Sequence, residues 1–227
     1  MSNAIESFRE KAEKLGLCVY PNSPDAAQGT VCAIVKDRAG KKLLAACGER
    51  AASFAGEEAE GMKLCPLSVE NAAALMALFP YAKPQSHRGH PFTMGLGDRL
   101  GAATPGHVRA IAGYGVFPIF AQQSIRELNL TGRTFADVIA AAAFGVFQEG
   151  YKDGYGADGD HLKTKDEITY ALESGCSMIT LDCSEHIDIA RDLNITQTPT
   201  IIDPDGTRYV GESAAADWLK AHKTVVV

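Results

Sequence analysis

The sequence predicts an α/β protein in which about four strand–helix units follow a small α+β region and precede a β-hairpin and a final helix. Three observations carry this. Between Gln85 and Ile187, short apolar runs alternate with helical segments that open on capping residues. Polar and ionisable residues follow each apolar run, as at the carboxyl ends of a parallel sheet. From Ile189 the pattern changes to two β-rich runs joined by Asp203-Pro204-Asp205-Gly206. A tight turn of that kind makes an antiparallel pair, whereas parallel neighbours need a helical crossover. The expected regions are therefore 1–84, 85–188 and 189–227.

Asn3 to Leu15 has the spacing of an amphipathic helix, stopped near Gly16. Val31 to Val35 and Leu43 to Ala46 are short apolar runs, and Asp37-Arg38-Ala39-Gly40 between them predicts a hairpin. Ser68 caps a helix expected from Val69 to Phe79, which Pro80 ends. In the next region the strands are expected at Phe92–Met94, Phe117–Ala121, Gly156–His161 and Met178–Leu181. Helices are expected from Thr104-Pro105, with Thr104 as N-cap, from the capping box of Thr134 and Asp137, and from that of Thr164 and Glu167. In the last region, Ile195 to Ile202 and Thr207 to Val210 pair across the turn, and Ala214 to His222 reads as a helix.

Composition narrows the function classes. The 227 residues are 46% hydrophobic and 22% charged, which is enough for a sizeable core. The formal net charge is −6, with both signs scattered and no basic cluster, so nucleic acid is not an expected partner. No apolar run approaches the ~20 residues of a membrane helix, and the first residues are too polar for a signal peptide. The cysteines at 18, 32, 47, 65, 176 and 183 form no C-x-x-C, and reduced thiols in the cytoplasm are the expected reading.

Several groups carry chemistry, each beside a plainer reading. Gly95 to Gly101 reads G-x-G-x-x-x-G, which fails the dinucleotide fingerprint at its last glycine. It is a turn that lets Asp98 and Arg99 face a ligand, or a structural turn with a surface ion pair. Gln122, Gln123, Ser124 and Arg126 follow a strand, where amides and a guanidinium suit hydroxyls and a carboxylate, or simply cap a helix. In Gly156-Ala157-Asp158-Gly159-Asp160-His161, a carboxylate beside an imidazole pairs a base with a metal ligand, or forms an acidic turn. Asp182, Glu185 and His186 cluster after the last strand of the region, as ligands or as a helix start. Cys183 as a nucleophile has only nearby His186 in its favour. His87 and His90 form H-x-x-H in a loop, a spacing that does not define a metal site.

Four ordered strings together resemble the tagaturonate epimerase family: GLGDRLGAATPGHVRA (Gly95–Ala110), FPIFAQQSIRELNLTGRT (Phe117–Thr134), GVFQEGYKDGYGADGDHLKT (Gly145–Thr164) and MITLDCSEHID (Met178–Asp188). The resemblance covers about Arg88 to Asp188. It implies a (β/α) barrel, here partial with about four units, a divalent metal cofactor, and interconversion of D-tagaturonate and D-fructuronate. It implies Asp160 as proton acceptor and His161 as metal ligand. Asp98, Arg99, Gln122, Gln123, Asp182 and His186 are the implied substrate-binding residues. The inverted carbon is β to the ketone, so the expected route is retro-aldol cleavage, rotation of the aldehyde and re-addition. Family members are about twice this length, so the resemblance implies the amino-terminal half, and a homodimer is the expected way to complete the barrel. The string LNITQTPTIIDPDGTRYVGESAAADWL, from Leu193, resembles the end of a thioredoxin-like domain, expected to cover the half-barrel's edge.

Overall fold

The computed structural model describes residues 2–184, 200–202, 207–210 and 217. The chain divides into two compact units, Met1–Leu181 and Asp182–Val227.

The first unit opens with helix α1 (Ser2–Lys14), which ends at Gly16 in the left-handed region, as the sequence predicts. Six strands then form an antiparallel sheet: β1 (Cys18–Val19), β2 (Asp25–Ala27), β3 (Thr30–Lys36), β4 (Lys42–Gly48), β5 (Glu57–Ala59) and β6 (Met62–Cys65). The order is β1-β3-β4-β6-β5, with β2 also on β3. The expected β3–β4 hairpin is present, closed by Asp37, whose carboxylate accepts from the Lys41 N–H at 2.8 Å. Two further hairpins were not legible. Gln28-Gly29 joins β2 to β3 and Glu60-Gly61 joins β5 to β6, with φ positive at both residues of each pair. Only the glycine in each pair signals the turn, and the flanking strands are too short to show a period.

Strand β3 is buried from Thr30 to Val35 because both faces of the sheet are covered. One face packs Val31, Ala33 and Val35 against Phe8 and Ala12 of α1. The other packs Cys32, Ile34 and Leu44 against Leu75 of α2 (Val69–Leu78) and against Phe144 and Phe147. Ser68 caps α2 as predicted, accepting from the Asn71 N–H.

The second sheet is parallel, with strands β7 (Thr93–Gly95), β8 (Phe117–Ser124), β9 (Gly156–Leu162) and β10 (Met178–Leu181) in chain order. All four coincide with predicted strands. Chain order with one crossover after another is the winding of a barrel, and the sheet curls into half of one. The crossovers are α3 (Thr104–Ile111), then α4 (Ile125–Thr131) with α5 (Phe135–Glu149), then α6 (Lys165–Glu173). Both expected capping boxes are formed, Thr134 with Asp137 and Thr164 with Glu167. At α3 the expectation fails. Ala103, not Thr104, is the N-cap residue, and a more distant side chain takes over the capping.

Helix α5 joins the two sheets into one unit. Val138, Ala142 and Val146 pack towards the parallel sheet, and Ala140, Phe144 and Phe147 towards the antiparallel one. A helix packed on two sides has to be apolar on nearly all of its surface, which its sequence shows. Among the described residues no single helix is long and apolar enough to cross a membrane.

In the second unit, β11 (Thr200–Ile202) and β12 (Arg208–Val210) form the antiparallel pair that the turn at 203–206 predicts. Of the helix expected over 214–222 only Asp217 is described, in a helical conformation, and His186 lies outside the described residues.

Candidate active site at the strand carboxyl ends

The loop after β7 is built around Asp98. Its Oδ1 accepts from the N–H groups of Gly101 (2.8 Å) and Ala102 (3.1 Å), and its Oδ2 from those of Ala103 (2.7 Å) and Thr104 (3.2 Å). The last two belong to the N-cap and first residue of α3, so Asp98 does the capping expected of Thr104 and also holds the loop before it. Burial pushes the Asp98 carboxyl up, but the backbone donors at 103, 102, 100 and 104 outweigh it and hold it below the usual range. With both oxygens engaged and the side chain buried, Asp98 organises the loop and offers no free acceptor to a ligand. The expected substrate contact is therefore replaced, among the described residues, by a structural role for Asp98.

Gln122 and Gln123 point to opposite faces, because consecutive strand residues alternate. Gln123 is buried on the helix side, donating to Thr131 Oγ1 at 3.1 Å and accepting from Arg133 Nη1 at 2.6 Å. The two amides therefore cannot serve one ligand. Gln122 faces the inside of the curl, where its Nε2 donates to Asp158 Oδ2 at 3.0 Å. Gly95 of β7 makes room for it, since a Cβ there would lie 2.6 Å from Gln122 Oε1.

Strand β9 delivers Asp158 and Asp160 to the same inner face, two residues apart, while Gly159 between them lies against Ala171 of α6. Asp158 is buried, with Oδ2 taken by Gln122 and by the Thr180 hydroxyl at 2.8 Å. Among the described residues its Oδ1 is buried without a hydrogen-bond partner. Asp160 is half-buried, and its Oδ1 lies 2.7 Å from His161 Nδ1. Burial raises the Asp160 carboxyl, His161 pulls it back, and the charges of Asp158 and Glu127 raise it again. The net direction is upward, which favours a group that takes and returns a proton. His161 is exposed and sits at φ 59°, in the left-handed region that a β-strand residue with a large side chain rarely adopts. That conformation turns the imidazole back beside Asp160 rather than across the sheet.

Arg99 lies on the exposed rim and pairs with Glu127 of the first turn of α4. The first residue of the second unit is Asp182, whose carboxylate accepts from the Ser184 N–H at 2.9 Å. His87 and His90 precede β7, at the opposite end of the strands, where His90 stacks on Phe117 with ring centroids 4.2 Å apart. Of the predicted site residues, the structure thus brings Gln122, Asp160 and His161 to one end of the sheet's inner face, with Arg99 at its rim. Sequence reasoning placed Asp158 in the same acidic segment but gave it no role, and it missed Thr180 and Glu127 as members of this group. Asp158 carried a signal: two residues before Asp160 in a strand means the same face.

A catalytic metal usually needs three protein ligands. The unpartnered Asp158 Oδ1 and the imidazole of His161 are donors of the right chemistry. Among the described residues, however, no group of three His, Cys, Asp or Glu side chains could hold an ion. The residues described here do not make a complete metal site.

The described residues form a parallel half-barrel with amide, carboxylate and imidazole groups at its strand carboxyl ends. The chain belongs to the tagaturonate epimerase family, whose profile matches residues 20–201. It is 43% identical over 178 residues to the tagaturonate/fructuronate epimerase of Thermotoga maritima, a match covering 76% of this chain and 37% of that protein. It superposes on the glycerol-bound crystal structure of the fructuronate-tagaturonate epimerase UxaE from Cohnella laeviribosi with a TM-score of 0.74 and 40% identity, over 94% of this chain and 48% of that one. The native crystal structure of the same enzyme gives a TM-score of 0.74, over 93% of this chain. The chain thus spans about half the length of the relatives it matches. The family match begins earlier and ends later than the 88–188 stretch whose strings carry the resemblance.

Proposed function

We propose that this chain carries the amino-terminal half of a sugar-acid epimerase site that interconverts D-tagaturonate and D-fructuronate. The observation that supports it most is the Asp160–His161 pair, 2.7 Å apart at the carboxyl end of β9. Asp160 takes the proton from the hydroxyl on the inverted carbon. The bond from that carbon to the carbon beside the ketone breaks, and its electron pair forms an enediolate. The aldehyde rotates, the enediolate re-adds to its other face, and Asp160 returns the proton. Gln122 and Arg99 face the hydroxyls and the carboxylate of the substrate. Asp182 and His186 are assigned to substrate binding on their position after β10 alone. A divalent cation would stabilise the enediolate, and His161 is the ligand this chain contributes to a site that other residues complete. A second copy of the chain is the partner proposed to supply the complementary strands, and the free thiols favour the cytoplasm as the setting.

The test is a coupled assay for D-tagaturonate conversion by the purified chain, with and without manganese, zinc or nickel. Metal-dependent turnover that is lost in Asp160→Asn and His161→Ala supports the proposal. A folded chain without turnover in any metal removes it. The lack of a three-ligand group among the described residues favours a second reading, a chain that binds the sugar acid without converting it. Binding of D-fructuronate without turnover would select that reading.

A further inference from the structure

Four positions meet through their side chains on the inner face of the parallel sheet: Gly95 on β7 beneath Gln122 on β8, Asp158 on β9, and Thr180 on β10, two residues beyond the register partner of Asp158. Gln122 and Asp158 are direct partners in the strand register. A carboxylate is an acceptor only, so the group Gln122 turns towards Asp158 is its NH2. The same carboxylate oxygen also receives the Thr180 hydroxyl. The amide of Gln122 is thereby held in one of its two flipped orientations, with Oε1 over the space left by Gly95. Among the described residues Oε1 has no hydrogen bond, and Gln122 is only half-buried. Among the described residues Asp158 keeps its other oxygen buried without a donor, a costly arrangement for a group whose only task is to hold the sheet together.

We propose that Asp158 and Thr180 are positioning residues that fix the Gln122 carboxamide so that its oxygen, and not its NH2, accepts a hydrogen bond from a hydroxyl of the bound sugar acid. This rests on the reading of the chain as a sugar-acid site. It adds the direction of the hydrogen bond and the two residues that set it. If Asp158 were replaced by a group that donates, the amide would turn and present NH2, a poorer partner for a hydroxyl proton.

Thr180→Val keeps the shape of the side chain and removes the hydroxyl, whereas Thr180→Ser keeps the hydroxyl. The full chain and both variants are titrated with D-fructuronate, following the Gln122 side-chain NH2 signals by NMR, with circular dichroism as the check on folding. The expected result is that wild type and Thr180→Ser bind alike. Thr180→Val should bind about fivefold more weakly, the effect of losing one orienting hydrogen bond. Its Gln122 NH2 signals should also exchange faster with solvent before ligand is added. A packing role alone would not be rescued by serine, because serine removes a methyl group that valine keeps. Equal binding by all three overturns the positioning role and leaves the sugar-acid reading standing. No binding by any of them removes the sugar-acid reading and this inference together. Should Thr180→Val fail to fold, Asp158→Leu is the substitute, and unchanged Gln122 NH2 exchange in that variant overturns the proposal.

Discussion

Asp98 and Gly159 are the residues whose replacement is simplest to interpret. Asp98 gathers the backbone of Leu100 to Thr104 onto one carboxylate. Asp98→Ala leaves those donors unpaired and should cost about 3 kcal/mol in urea unfolding at neutral pH. Because the folded-state value lies below the ordinary ~3.9, the stability it contributes is complete above about pH 4. That contribution is lost as pH falls through the lower folded value. The gap between wild type and variant should therefore hold at pH 5 and close on further acidification; a gap independent of pH would mean that the charge of Asp98 is not what holds the loop. At Gly159, a methyl group would lie 2.7 Å from the Cβ of Ala171. Gly159→Ala should push α6 off the sheet and destabilise by about 1–3 kcal/mol, measurable as a lower denaturant midpoint with unchanged slope.

Among the elements, α5 and α6 show two different sources of helix stability. The capping box of Thr164 and Glu167 starts α6, a short helix with one buried residue, Ala171. Thr164→Ala should cost about 1 kcal/mol, and the loss should appear first as faster amide exchange in the first turn of α6. Helix α5 relies on packing instead. Phe147 is fully buried, and its ring lies 5.0 Å from Phe79 and 6.3 Å from Tyr81. Phe147→Ala should cost about 3–5 kcal/mol by thermal or chemical unfolding. A cost comparable to that of a single cap would show that the neighbouring rings close over the space.

On the scale of the whole molecule, residues 1–181 are one compact unit although two sheets of different type build it. The antiparallel sheet and the half-barrel share α5, and Tyr155, fully buried, adds a second tie by donating to the Ala82 carbonyl at 2.8 Å. Hydrogen exchange should thus find a single cooperative opening for both sheets, and Phe147→Ala should lower protection in β3 and in β8 by the same free energy. Protection lost in β3 alone would mean that the two sheets unfold separately.

The sequence by itself determined many of the elements and their order, though not the short strands β1, β2, β5 and β6 or helix α4, because capping boxes, turn residues and apolar runs act over a few neighbours. The four parallel strands, the β3–β4 and β11–β12 hairpins and the starts of α2, α5 and α6 were all legible in that way. So were Asp160 and His161, which are adjacent in the chain and adjacent in space. Only the tertiary structure decided what each polar residue faces. Strand register sends Gln122 inward to Asp158 and its neighbour Gln123 outward to Arg133. The path of the loop after β7 folds Asp98 onto the start of α3, where backbone N–H groups take up both carboxylate oxygens. Thr180 joins Asp158 from a strand 22 residues away. Such pairings depend on how the sheet curls and which strands become neighbours, and no local pattern in the chain encodes them.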